Sequence, residues 1–375
     1  MKLLIQITTL LILFSVCFSK KCNNQPYWNL IPQNGAIPPP LWDGASAYDE
    51  KNELFYMFGG LNGTYPSDYP VNAFYIFDVK TYTWTNLESN STPIGRAEAM
   101  LWVDKRTGYP HLSGGRYRFR SGQNIEYNTT HYYNTATNSW TELSQTVAQQ
   151  NMANRSTEAI LIRQKAYAYA GSTSTLGSFI NRPGGIQNNV IEFDRNNGWS
   201  IVEAIGAIPT PRAHHHLGYD KDTNSIFTYG GYTKDPVGNA TFSPNNYLSD
   251  LWRFDLDTRT WINYQFNGTS PGKRDNAKIV HVDEHELYLI GGSDYTGANY
   301  LDLWRFDFNT NTWERVVVQA EIDPFTNKSN LPTPIGSYYF TRETSCGYEF
   351  WMFAGSASEF GGALYNGFFK LTIPK

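Results

Sequence analysis

The chain is poor in charge, in cysteine and in long apolar runs. Charged residues make up 17% of its 375 positions and the formal net charge is −4. No basic field large enough to recruit nucleic acid is therefore available. Beyond the first twenty residues no stretch is apolar enough to span a bilayer. The last segment, Phe368 to Lys375, is too short and too polar for a lipid-anchor signal. Nothing resembles a nucleophile elbow or a phosphate loop. Disorder is excluded as well, because 41% of the residues are hydrophobic and 16% aromatic.

The beginning of the chain reads as a targeting signal. Lys2 precedes the apolar run Leu3 to Phe18, which Gln6, Thr8 and Thr9 interrupt, and Cys17-Phe18-Ser19 offers small residues at a cleavage site. A membrane anchor would need about 20 apolar residues. Residues 1–19 are thus expected to be a signal peptide. Residues 20–375 are expected to form one secreted domain, extracellular or in the lumen of the secretory pathway. The remainder holds eleven Trp, 26 Tyr and 31 Gly, a composition that suits short strands joined by tight turns.

Internal repetition decides the fold class. Glycine pairs close apolar runs at Gly59-Gly60, Gly114-Gly115, Gly230-Gly231 and Gly291-Gly292, with weaker versions at Ala170-Gly171 and Ala354-Gly355. Between them fall Trp84, Trp140, Trp199, Trp261 and Trp313, 52 to 62 residues apart. Four of these tryptophans end a shared turn: Asp78-x-x-Thr81-x-x-Trp84, then the same spelling from Asn134, Asp255 and Asp307; from Asp194 to Trp199 it is shortened. Asp or Asn starts a tight turn by bonding back to its own backbone. Glycine tolerates positive φ at a strand end, and the Trp supplies a large apolar face between sheets. In the fourth unit the four strands are expected at 214–219, 225–229, 251–256 and 260–264. Such a sheet, apolar on both faces, is stable only when packed against neighbours.

The glycine doublets followed by the Asp-x-x-Thr-x-x-Trp turn resemble the kelch repeat. Asp250-Leu-Trp-Arg-Phe-Asp255 and Asp302-Leu-Trp-Arg-Phe-Asp307 look like its third strand. The resemblance covers essentially the whole mature chain. It implies an all-β, six-bladed β-propeller of four-stranded antiparallel blades, at about 36–87, 93–143, 155–203, 209–264, 271–318 and 332–375. Its usual role is a binding platform, although some relatives are enzymes. The last unit stops after a third strand, whereas Tyr27-Trp28-Asn29-Leu30-Ile31 reads like a Trp-bearing fourth strand and precedes the first unit. The N-terminal strand is therefore expected to complete the last blade. After signal removal only Cys22 and Cys346 remain. Two strand spacings of about 4.8 Å separate their expected positions, a gap that the five residues after Cys22 can span, so a disulfide is expected.

In this topology the b–c loops and the d–a linkers share one face, and the longest loops lie there. Arg96, Arg155, Arg212 and Arg274 stand just before strand a of four units. In kelch substrate adaptors, arginines at matching positions ring the channel mouth and grip acidic groups, although Glu98, Glu158 and Asp275 stand close enough for internal salt bridges. Arg116, Arg118 and Arg120 alternate along an extended segment on the same face and form a second candidate patch for an anionic ligand. Acceptor sequons occur at Asn62, Asn90, Asn128, Asn154, Asn239, Asn267 and Asn327, all expected in loops or linkers and none in a strand.

Enzyme readings rank lower. His214-His215-His216 would place two imidazoles on one side of an inner strand, but His111, His131, His281 and His285 belong to other units, and zinc needs three or four converging ligands. The Glu-x3-Asp-x3-His iron motif of plant specifier proteins is absent, and no Cys is spare for the crosslink of galactose oxidases. Secreted sialic-acid epimerases share the size and the six units, yet none of their catalytic motifs can be matched. Such an enzyme would place a carboxylate of perturbed pKa beside an arginine in the channel. The expectation is a non-catalytic monomer without cofactor or metal that binds an extracellular protein or glycan.

Overall fold

The computed structural model describes Cys22 and residues 24–64, 67–89, 91–118, 124–150, 152, 154–173, 185–233, 244–320, 336–356 and 364–375. Strand dominates, and the only helix among the described residues is the single turn Val147–Gln150. Six antiparallel sheets, each with strands a to d laid side by side in that order, account for the architecture. Sheet 1 holds Ala45–Asp49, Leu54–Phe58, Phe74–Asp78 and Thr83–Asn86. Sheet 2 holds Met100–Asp104, Tyr109–Ser113, Thr130–Asn134 and Ser139–Glu142. Sheet 3 holds Ala159–Ile162, Lys165–Tyr169, Val190–Asp194 and Gly198–Val202. Sheet 4 holds His216–Asp220, Ser225–Tyr229, Leu251–Asp255 and Thr260–Tyr264. Sheet 5 holds Lys278–Val282, Glu286–Ser293, Asn299–Asp307 and Thr312–Val316.

Sheet 6 is composite. Strands Tyr338–Thr344, Gly347–Phe353 and Phe368–Pro374 come from the end of the chain, and the fourth, Tyr27–Leu30, comes from its beginning. Tyr27 to Leu30 run antiparallel to Thr372 to Phe369. Cys22 is joined to Cys346, 324 residues away in sequence. The outer edge strands are partly covered by the chain's own linkers. Asn34–Gly35 pairs parallel with Thr83-Trp84, Gln319–Ala320 pairs with Tyr27-Trp28, and Ile205 bridges Thr260, which leaves fewer free edges for wrong pairing.

The repeated turns have the chemistry that their spelling suggests. The carboxylate of Asp78 accepts the backbone N–H groups of Lys80 at 2.8 Å and Thr81 at 3.3 Å; Asp255 does the same for Asp257 and Thr258, and Asp307 for Asn309 and Thr310. Each turn delivers its Trp to the junction with the preceding sheet. Trp84 lies among Tyr338, Trp351, Phe353 and Phe368 of sheet 6, and Trp140 joins Phe58 and Phe74 of sheet 1. Trp199 meets Met100 and Trp102 of sheet 2, Trp261 meets Tyr169 of sheet 3, and Trp313 meets Tyr229 of sheet 4. Trp28 packs with Val280, Ile290 and Leu303 of sheet 5. Six tryptophans thus serve six junctions.

Backbone bonds add two belts at the ends of the a strands. One residue just before each a strand has positive φ: Asp43, Glu98, Ser156, His214, Asn276 and Gly336, between 54° and 60°. Their peptides are linked in series: Asn276 N–H to His214 C=O at 2.6 Å, His214 to Ser156 at 2.9 Å, Ser156 to Glu98 at 3.1 Å, Glu98 to Asp43 at 2.6 Å and Asp43 to Gly336 at 2.7 Å. In the second belt, the second residue of a doublet donates to the next unit's linker: Gly60 to Arg96, Gly115 to Asn154, Gly171 to Arg212, Gly231 to Arg274, and Gly355 to Leu41. Glycine is required there. Gly60 has φ of 89°, and a Cβ on it would lie 2.0 Å from the Tyr338 hydroxyl oxygen. The strand expected at 214–219 accordingly begins at His216, because His214 belongs to the first belt.

The disulfide ties the segment before Tyr27–Leu30 to the a–b turn of sheet 6. Reduction, or Cys346→Ser, is expected to lower stability by about 2–4 kcal/mol. Amide hydrogen exchange should accelerate first at Tyr27–Leu30, before sheets 2 to 4; uniform acceleration across all sheets would contradict the role assigned to that strand.

Candidate functional site

The face that carries the belts also carries the b–c loops, and the loops are sewn to the linkers. Isolated bridges join Ala97 to Arg116, Arg155 to Ser172, Ala213 to Tyr232 and Asp275 to Ser293, and within the b–c connection of sheet 6 Ser356 bridges Leu364. Short extra strands start directly after the doublets, at Leu61–Asn62, Arg116–Arg118 and Ser172–Thr173. A cavity of about 890 Å³ lies between the a strands. The six residues of the first belt line one end of it, and the a–b turns, with Lys51, Arg106 and Glu343, line the other.

Three of the four arginines expected at the mouth are buried instead. Arg212 donates to Gly230 C=O at 2.8 Å and forks onto both oxygens of Asp250 at 2.9 and 2.8 Å. Arg274 repeats this with Gly291 C=O and Asp302, and lies over the Tyr300 ring. Arg96 donates to Gly114 C=O at 3.0 Å and lies over Tyr127. All three are 3% exposed or less. Each clamps the first residue of a glycine doublet to the linker that precedes its own sheet.

Arg155 stands one residue out of step with them. It is Asn154, two residues before Ser156, that occupies the matching position, and its amide donates to Ala170 C=O at 2.8 Å. Arg155 therefore points elsewhere, to Glu126 and to Glu98 at 2.8 Å each. Arg116 also bonds Glu98. The side chains of Arg118 and Arg120 lie outside the described residues. Among the described residues no arginine ring forms; two guanidinium groups converge on one belt carboxylate.

The carboxylates at this end of the cavity differ sharply in environment. Burial alone would raise the Glu98 carboxyl, but Arg116, Arg155, His214 and the Ser156 hydroxyl hold it well below the usual carboxylate range. Burial and the nearby Glu98 charge push Asp43 up to about 6, against weaker opposing effects of His214, Arg116 and Lys278. No described residue donates a hydrogen bond to the Asp43 carboxylate.

Deeper in the cavity, Tyr339 of sheet 6 reaches over to sheets 3 and 4. Its hydroxyl bonds Glu158 and lies 2.9 Å from Nδ1 of His216, which is itself 3.2 Å from Glu158. The backbone N–H of Leu217 also donates to Glu158. Burial would raise the Glu158 carboxyl, and His216 with these donors holds it low. Burial pushes His216 down against the pull of Glu158, and pushes the Lys278 ammonium down to about 8. Lys278 sits 5.3 Å from the centre of the Tyr339 ring. The sequence reading reached His214, His216 and Glu98 but missed Asp43, Lys278 and Tyr339. Leu41, not an arginine, stands two residues before Asp43, so the spacing that marks Glu98, His214 and Asn276 does not mark Asp43.

Two substitutions test these assignments. Arg212→Met should cost about 3 kcal/mol, because it strands Asp250 and a carbonyl. Asp43→Asn should stabilise. A carboxyl whose folded pKa is raised favours folding below its ordinary value near 3.8, and that contribution is lost as pH rises through about 6. The melting temperature of Asp43→Asn should thus exceed wild type by about 2 °C at pH 7.5, and the two should converge at pH 4.

The amino-acid sequence is similar to that of known proteins. The model of the KLHDC2/KLHL20/DRC7 Kelch-repeats domain matches residues 15–181 and 159–341. Kelch domain-containing protein 3 of Bos taurus is 26% identical over 315 residues, 76% of this chain and 77% of that protein. The Leucine-zipper-like transcriptional regulator 1 homolog of Drosophila melanogaster is 29% identical over 131 residues, 34% of this chain and 13% of that protein. Host cell factor homolog hcf-1 of Caenorhabditis elegans is 23% identical over 226 residues, and the match spans 28% of its length. With the family model matching most of its length and the repeated doublets, turns and tryptophans described above, the chain belongs to the kelch-repeat family.

Proposed function

We propose that this chain is a secreted, six-bladed kelch propeller, closed by its N-terminal strand, that binds an extracellular protein through its loop face without catalysis. Six tryptophan junctions, the two peptide belts and the pairing of Tyr27–Leu30 with Phe368–Pro374 support the closed ring. The leader sequence and the Cys22–Cys346 bond support secretion.

One observation carries the binding reading. Tyrosines stand out from the loop face of a rigid scaffold: Tyr69, Tyr295 and Tyr365 are 41%, 42% and 48% exposed, on the b–c connections of sheets 1, 5 and 6. Tyr supplies large contact area at low entropic cost and is enriched at binding hot spots. A protein partner fits better than an anionic glycan, since an anion would have to displace Asp250, Asp302 or Glu98 from the arginines.

The Glu158–His216–Tyr339 cluster beside Lys278 favours a second reading, a sugar-directed acid–base enzyme of the epimerase or mutarotase type. Arrays of secreted proteins and of glycans, probed with wild type and with Tyr69→Ala/Tyr295→Ala/Tyr365→Ala, separate the two. Binding to a protein that weakens at least tenfold in the triple variant is the expected result. Accelerated sugar anomer exchange in NMR, abolished by Tyr339→Phe, would instead establish the enzyme.

Secretion also exposes the sequons to glycosylation, and their environments differ. Asn267 is exposed, Asn62 sits in the short strand Leu61–Asn62 rather than in a loop, and Asn154 is buried with its amide engaged. Asn128 is half-buried; Asn90, Asn239 and Asn327 lie outside the described residues. Glycopeptide mass spectrometry should find Asn267 occupied and Asn154 bare. A glycan at Asn154 would contradict its place in the clamp.

A further inference from the structure

The arginines near the mouth of the cavity are already engaged. Arg96, Arg212 and Arg274 are spent inside their sheets, and Arg116 and Arg155 are neutralised by Glu98 and Glu126. Among the belt residues that line this end, Asp43 alone combines a carboxylate with the absence of any described hydrogen-bond donor. Its position is fixed from both sides, by its N–H to Gly336 and by its C=O from Glu98. It is held at positive φ, 54°, a conformation that costs energy for a non-glycine residue and is found at sites where function demands it. Around it the belt offers further polar groups, Ser156, Asn276 and His214, and Ser337 adds a hydroxyl. On the same face the exposed Tyr69, Tyr295 and Tyr365 present aromatic rings, which attract cations over their faces.

We propose that Asp43 is the anchor for a basic side chain, lysine or arginine, of the protein that docks on the loop face. This rests on the protein-binding reading and names the chemistry of the partner. The long stem of such a residue would pass the tyrosine-bearing loops, and its charged head would enter the belt end of the cavity and meet Asp43. Glu98, at the adjacent belt position, is already engaged by Arg116, Arg155 and Ser156, which leaves the head to Asp43. Lys278 closes the approach from the floor, so that the head stops at the belt and does not travel on to Tyr339. The raised Asp43 pKa agrees with a carboxylate whose burial and Glu98 neighbour are only partly offset by His214, Arg116 and Lys278.

The test uses the full secreted chain and a display library of blocked dodecapeptides, without free termini. Enriched peptides are expected to carry Lys or Arg, to bind Asp43→Asn at least tenfold more weakly, and to retain part of their affinity for Asp43→Glu. Affinity should fall between pH 7.5 and pH 5.5 as Asp43 protonates. Glu98, His214, Arg116 and Lys278 face the same group, and a pH slope that persists in Asp43→Asn would assign the effect to one of them and overturn the proposal. So would enriched peptides that are acidic or neutral, or a library that enriches nothing. The protein-binding reading is judged separately by the protein array, which succeeds or fails whatever charge the partner carries. Equal melting curves or a higher melting temperature for Asp43→Asn show that lost binding is not lost folding.

Discussion

Six residues held at positive φ, hydrogen-bonded peptide to peptide, set the position of everything else in this molecule. Their side chains share no chemistry: Asp43, Glu98, Ser156, His214, Asn276 and Gly336. What they share is a backbone that turns each linker inward and starts an a strand beside the last. Five of the six carry a Cβ in a region that disfavours it. The cost is sustained because every peptide in the series also satisfies its neighbour, so that relaxing one residue would break bonds in two sheets. Clamps and glycine doublets follow from the same constraint. A doublet needs positive φ at both residues so that its second N–H can reach the adjoining linker, and the arginine then caps the carbonyl left behind.

The fold was legible in the sequence where side-chain identity repeats. Trp84, Trp140, Trp199, Trp261 and Trp313 occupy equivalent volumes, and equivalent volumes demand equivalent residues. The misplaced strand at Trp28 could be found for the same reason. Sheet boundaries in the fourth unit were off by two residues at His214, since positive φ leaves no mark on residue type outside Gly, Asn and Asp. The extra strands in the loops, such as Arg116–Arg118, are set by the linker they bridge, and that contact is non-local.

The candidate site was less legible, and Arg155 shows why. In the linker of sheet 3 the arginine stands one residue before the belt residue Ser156, where Arg96, Arg212 and Arg274 stand two before theirs, and it points to Glu98 and Glu126 in place of a doublet carbonyl. Asn154 then makes the clamp bond with a shorter side chain. A spacing argument that counts arginines before a strand cannot see this, because the count is the same. Asp43 was invisible for the converse reason. Its importance lies in the donors it lacks, and an absent partner leaves no motif. Tyr339, Glu158 and His216 come from three different sheets and meet only when the sheets are assembled around one cavity.

The composite sixth sheet carries a consequence for the life of the chain. Translation delivers the strand Tyr27–Leu30 first and its partner Phe368–Pro374 last, so with synthesis at about 5–20 residues per second the opening segment waits for tens of seconds before it has a place to go. Throughout that interval Trp28 is unburied and Cys22 has no native partner. Sheets 1 to 5 close locally as they emerge, whereas the pairing of Tyr27–Leu30 with Phe368–Pro374 spans most of the sequence, and loop closure of that length is slow to arrive. A chain that stops before Cys346 and the strand Phe368–Pro374 keeps Cys22 without its native partner and Trp28 without the strand it pairs on.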